Sequence, residues 1–108
     1  MGKTLNARRI ELSGEYDVSR REAIASLFET LRADVPLVID LTKCTYVDST
    51  FLGELVKLRR RFTEYPITLF GASGNVMHIL RTVRFSTLFE IPEADASVAT
   101  QNVPAMAG

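Results

Sequence analysis

CTYVDSTFLGELVKLRRRF, residues 44–62, sets Asp48, Ser49 and Thr50 between an apolar segment and an amphipathic one. Downstream of them Leu52, Leu55, Val56, Leu58 and Phe62 recur at three- and four-residue spacing, which predicts a helix with one apolar face. Upstream, LVIDL at 37–41 is a short continuous apolar run, the pattern of a buried strand, and a loop from Thr42 leads through Tyr46 and Val47 to the polar group. Asp and Ser are favoured N-cap residues, so Asp48 or Ser49 reads as a cap. The start of a helix is also where the backbone dipole and unpaired N–H groups favour an anion. The same three residues therefore read both as a cap and as a place suited to a phosphate.

The flanking sequence repeats the alternation of strand and helix. RRIELSG (8–14) alternates Ile10 and Leu12 with polar neighbours, as a half-exposed strand ending at Gly14 does. Ser19 with Glu22 is a capping-box signature, and Ile24, Leu27, Phe28 and Leu31 give the following helix its apolar face until Pro36. YPITLFG (65–71) predicts a third strand starting at Pro66, SGNVMHILRTV (73–83) a third helix capped by Ser73, and STLFEI (86–91) a short fourth strand. Residues 93–100 fit a last half-exposed helix, and 103–108 a flexible tail behind a single domain of residues 1–102. The order implies an α/β layer fold with Leu37, Ile39, Leu55, Val56, Leu69, Ile79 and Leu80 buried.

Bulk properties narrow the function. At 108 residues the chain suits one small domain, and its formal net charge of zero argues against a nucleic-acid binder driven by phosphate contacts. Lys57, Arg59, Arg60 and Arg61 cluster, which reads as a solvated helix face. The single cysteine, Cys44, excludes an internal disulfide and suits a reducing cytosol. No apolar run approaches the roughly 20 residues of a membrane span, and the first residues lack the apolar core of a signal peptide.

Chemistry-bearing motifs are sparse. GASGN (71–75) lacks the spacing and the lysine of a nucleotide-binding loop and reads as a turn and cap. His78 is the one histidine, and a metal site needs more ligands. Asp48, Ser49 and His78 include the residue types of a hydrolase triad, but the glycines of a nucleophile elbow are missing around Ser49. Asp40 ends a buried strand as a receiver phosphoacceptor does, yet Glu15 and Asp17 do not form the adjacent acidic pair a receiver needs, so a strand-end cap is preferred.

IELSGEYD (10–17) and LVIDLTKCTYVDSTFLGELVKL (37–58) together resemble the STAS domain, and more narrowly the bacterial anti-sigma factor antagonists. That family reads strand, Gly-Glu-Leu-Asp, helix, an apolar strand ending in Asp-Leu, then Asp-Ser-Ser-Gly-Leu-Gly or Asp-Ser-Thr-Gly-Leu-Gly opening a helix. Gly14-Glu15-Tyr16-Asp17, Asp40-Leu41 and Asp48-Ser49-Thr50-Phe51-Leu52-Gly53 occupy these positions, and a weaker match extends over 66–91. The resemblance implies a STAS-like central mixed β-sheet with helices packed mainly on one face. It implies binding rather than catalysis, with no cofactor and no metal.

In that family an unmodified antagonist binds an ATP-using anti-sigma factor kinase and frees a sigma factor. Phosphorylation of the serine after the aspartate dissolves the complex, and a metal-dependent phosphatase resets it. Carried over, Ser49 is the phosphoacceptor, with Thr50 as second choice, and Asp17, Asp48, Ser49, Thr50, Phe51 and Glu54 face the partner. The implied setting is bacterial, cytoplasmic and concerned with stress-response transcription, without nucleic-acid contact or membrane insertion, and compatible with a homodimer. Two departures stand out. Phe51 replaces the family glycine, so its ring obstructs a kinase, anchors another partner, or tucks into the core with Leu55, Leu58 and Phe62. A strand before residue 8 has only Lys3 to Asn6 to draw on. The alternative function is a STAS subunit that is not phosphorylated, in a scaffold or a lipid-transport ABC complex.

Overall fold

A computed structural model describes residues 7–92. The strand expected from Lys3 to Asn6, the helix expected at 93–100 and the tail at 103–108 lie outside the described residues. Within them the order is β1 (Arg8–Tyr16), α1 (Arg21–Glu29), β2 (Leu37–Val47), α2 (Ser49–Arg61), β3 (Ile67–Phe70) and α3 (Gly74–Thr82). The strands form one sheet in the order β1-β2-β3, and both ladders are parallel. Parallel neighbours need a crossover, and α1 and α2 supply it.

Strand periodicity decides which face is covered. Ile10 pairs with Ile39, and Leu37 and Ile39 pair with Ile67 and Leu69, so these side chains share one face. The three helices bury Ile24 and Phe28, Phe51, Leu55, Leu58 and Phe62, and Val76 and Leu80 in the same core. On the opposite face Arg9, Glu11 and Phe70 are exposed, whereas Asp40 between them is buried. The expected architecture of a sheet with helices packed mainly on one face is therefore present. Leu37, Ile39, Leu55, Leu69 and Leu80 are buried as expected, whereas Val56 and Ile79 sit at the core margin, half-buried.

Three local expectations are corrected. First, β1 runs past Gly14 to Tyr16 and β2 past Leu41 to Val47. Two register shifts, between Glu11 and Ser13 and between Gly14 and Glu15, each give β2 one extra residue. Such bulges turn the period-2 pattern into buried Leu41, Cys44 and Val47, which hides the strand in the sequence. Second, STLFEI forms no fourth strand: residues Phe85–Thr87 make a single tight turn, and Glu90 alone bridges to Thr68. Phe85 and Phe89, four residues apart with rings at 5.3 Å, both turn into the core, a helical rather than a strand spacing.

Third, the Ser19–Glu22 capping box is not formed. Asp17 instead caps a single 3-10 turn, Val18–Arg20, accepting from the Ser19 N–H at 2.9 Å and its hydroxyl at 2.6 Å, and α1 begins after it, at Arg21, with no side-chain cap. Ser73 is the N-cap of α3 as expected, and it acts through its carbonyl, which accepts from Val76 and Met77, with no side-chain cap bond.

The basic cluster at the end of α2 is also more than a solvated face. The Arg61 guanidinium donates to the carbonyls of Phe28, at 2.8 Å, and Leu31, and Arg59 donates to Leu88 and Phe62, both at 2.7 Å. Arg61 thereby satisfies carbonyls at and just beyond the C-terminal end of α1, where a cation also complements the helix dipole. Asp40 is buried and accepts from the Thr42 N–H at 2.9 Å and hydroxyl at 2.6 Å, with Arg9 as its ion-pair partner. Burial pushes this carboxyl up, but the Thr42 bonds and the Arg9 charge more than offset it, leaving it below its ordinary value. The stability this contributes is present above the unfolded carboxyl's pKa and is lost as pH falls through the depressed folded one.

Candidate functional site

The ends of two parallel strands fix the start of α2. Tyr16 pairs with Val47, and the Tyr16 carbonyl accepts from the Asp48 N–H at 3.2 Å, tying the last residue of β1 to the residue before α2. Arg20 stiffens the β1 end. Its guanidinium lies 4.1 Å from the centre of the Tyr16 ring and donates to the Glu15 carbonyl at 3.1 Å. Asp17 follows directly. Its bonds from the Ser19 side chain and backbone hold its carboxyl below the ordinary value.

Asp48 is the N-cap of α2. Its backbone is extended, and Oδ1 accepts from the N–H groups of Thr50 at 3.0 Å and Phe51 at 3.2 Å. Ser49 is thus the first helical residue rather than the cap, and its side chain is exposed. The expectation that open backbone N–H groups await an anion here is corrected, since Asp48 already occupies those of Thr50 and Phe51. Asp48→Ala is expected to cost about 0.5–2 kcal/mol by releasing both N–H groups. Chemical denaturation checks this, and an unchanged midpoint would remove the cap from the account.

The remaining site residues divide by burial. Ser49 and Thr50 line a shallow depression of about 220 Å³ together with Arg21, Gly53, Glu54 and Lys57. Glu54 is 7% exposed and is paired with Lys57 at 3.4 Å and with Arg21 of α1 at 3.7 Å. Phe51 is 2% exposed, its ring 5.4 Å from that of Tyr16 and 6.4 Å from that of Phe28. Of the three roles the sequence leaves open for Phe51, its position is that of core packing. The solvent-facing member of the expected set is Ser49; its chain neighbours Asp48 and Thr50 are half-buried, as is Asp17 just after β1.

Arg21 and Lys57 line the depression as well, although the sequence pointed to Lys57 only as part of a solvated basic face and to Arg21 not at all. Lys57 stands three positions after Glu54, a helical pair visible in the sequence. Arg21 belongs to another helix and has no local signal. Among the described residues no group of three or more His, Cys, Asp or Glu side chains is placed to hold a metal ion, and no helix is long and apolar enough to cross a membrane.

A family model described as Mlab, STAS domain, matches residues 1–90. The anti-sigma-B factor antagonists of Listeria monocytogenes and Listeria innocua are each 28% identical over 99 residues, spanning 86% of this chain and 85% of theirs. The crystal structure of an anti-sigma factor antagonist from Mycobacterium paratuberculosis superposes with a TM-score of 0.69 at 20% identity, over 87% of this chain and 84% of that one. The anti-sigma factor antagonist SpoIIAA in its unphosphorylated form superposes with a TM-score of 0.62 at 18% identity, over 98% and 96%. These two likenesses are of fold.

Proposed function

The chain belongs to the STAS domain family, and we propose that it is an anti-sigma factor antagonist, a binding switch that engages an anti-sigma factor kinase and is released when Ser49 is phosphorylated. The observation that carries the reading is the placement of Ser49: exposed, first in α2, directly after a cap held by the β1 end, on a depression open to a partner. The Listeria antagonists support the same reading. A phosphate on Ser49 adds about −1.5 to −2 charge next to Asp48 without entering the core. Binding is lost because a desolvated interface tolerates like charges poorly, while the fold stays as it is. A phosphatase returns the chain to its binding form.

Gly53 gives this reading an independent test. It is exposed in the interior of α2, and a Cβ built there meets nothing within 4 Å. The fold alone therefore favours alanine, by about 0.5–1 kcal/mol. A glycine at that point of the depression leaves room for the close approach of another backbone. Gly53→Ala is expected to raise the denaturation midpoint yet weaken the complex with the anti-sigma factor. A variant that is more stable and binds equally well would take Gly53 out of the interface.

The proposal is tested by incubating the chain with ATP and its cognate kinase, then mapping the phosphate by mass spectrometry. Phosphate on Ser49, lost in Ser49→Ala with partner binding retained, is expected. Phosphate on Thr50 would move the site by one residue. Absence of phosphate, with Ser49→Asp binding as tightly as wild type, would favour a constitutive subunit.

A further inference from the structure

We infer that Arg21 and Lys57 form a latch for a phosphate on residue 49, reaching the phosphoryl oxygens with the donors that their shared partner Glu54 does not take. The inference rests on Ser49 as the phosphoacceptor and adds where the modified side chain goes. Asp48 already holds the N–H groups of Thr50 and Phe51, so a phosphate at the start of α2 needs other donors. The depression that Ser49 lines supplies two cations, Arg21 from α1 and Lys57 from about two turns further along α2.

Both cations are loosely held. Their distances to Glu54 Oε2 are 3.7 and 3.4 Å, longer than the roughly 2.7–2.9 Å of a tight charge-assisted bond. Their side chains are 58% and 64% exposed, whereas that of Glu54 is 8% exposed. Glu54 is the buried member and keeps its cations, while the remaining N–H donors of the exposed Arg21 fork and Lys57 ammonium are open to a phosphate. A phosphate has the larger charge and three acceptor oxygens against the two of a carboxylate, and Arg21 suits it by its planar fork. Asp48, Glu54, Arg21 and Lys57 sum to zero before modification and to about −2 after it. The latch fixes this new charge over the depression rather than letting it swing free.

The test uses protein with phosphoserine installed at position 49 during synthesis, so that it reads the latch whether or not a kinase uses the site. Titration followed by phosphorus NMR gives the midpoint of the second phosphate ionisation, ordinarily near pH 6. Nearby cations favour the dianion, so the midpoint in the otherwise wild-type chain is expected about 0.5 pH unit or more below that of an Arg21→Gln, Lys57→Gln double variant. Each single variant is expected to fall between. Arg60→Gln, exposed on the same helix, controls for overall charge and is expected to leave the midpoint in place. Equal midpoints in wild type and the double variant, or an equal change in Arg60→Gln, would overturn the latch. Failure of the phosphoacceptor proposal shows separately, as an unmodified Ser49 in protein incubated with its kinase.

Discussion

Phe51→Gly, which restores the family's residue, is expected to lower the unfolding free energy by about 4–6 kcal/mol. Removing a buried phenylalanine ring costs about 3–5 kcal/mol, from lost transfer energy and the cavity left behind. Glycine in place of alanine in a helix adds up to about 1 kcal/mol. The Phe51 ring packs between Tyr16 and Phe28, so the cavity opens where the β1 end, α1 and α2 meet. Domains of this size have only about 5–15 kcal/mol in total. The variant is therefore expected to be largely unfolded in modest urea, and a changed rate of Ser49 phosphorylation in it would report on unfolding. Phe51→Leu, which keeps the site apolar, is the variant for binding assays. A denaturation midpoint equal to wild type in Phe51→Gly would place the ring outside the core.

Gly71→Ala is expected to cost about 2–5 kcal/mol, although it adds a single methyl. Gly71 has φ +80° at the end of β3, a left-handed conformation that costs an L side chain about 1–2 kcal/mol. Its Cβ would also overlap the Thr42 hydroxyl and stand 3.1 Å from the Thr42 nitrogen and 3.2 Å from its Cα. Two of those three atoms are backbone of β2, which cannot swing away, and overpacking of this kind adds about 1–3 kcal/mol. The hydroxyl is the one that bonds buried Asp40, so moving it disturbs that carboxylate's partners as well. A fluorescence- or circular-dichroism-monitored urea titration measures the loss. A midpoint within error of wild type would show that β2 and β3 are not this close at Thr42.

The parts of the fold that were legible are those where one periodicity rules. Leu55, Leu58 and Phe62 repeat at helical spacing, and Leu37, Ile39, Ile67 and Leu69 fill one strand face, so the core elements follow from pattern alone. The second half of β2 was not legible because two bulges break the alternation. The last strand was misread because Phe85 and Phe89 anchor a turn with apolar residues that also suit a strand. At the site, the position of Ser49 at the start of a helix could be read from the Asp-Ser-Thr block. Which of Asp48 and Ser49 serves as cap could not, since both types suit it and the choice depends on the Tyr16 contact. Arg21 could not be foreseen at all: its pairing with Glu54 is made by the packing of α1 on α2.

On the proposed function, one phosphate on Ser49 switches binding off in an otherwise unchanged fold. The measurement that reaches it most directly is a titration of the anti-sigma factor from the same genome against two forms of the chain, unmodified and carrying phosphoserine at position 49. Tight binding is expected of the unmodified form and a loss of about 100-fold or more of the phosphorylated one, since like charges brought together in an interface cost several kcal/mol and each 1.4 kcal/mol is about tenfold. The two forms are expected to give the same far-ultraviolet spectrum. Equal affinity of the two forms for that partner would rule out a phosphate switch at Ser49.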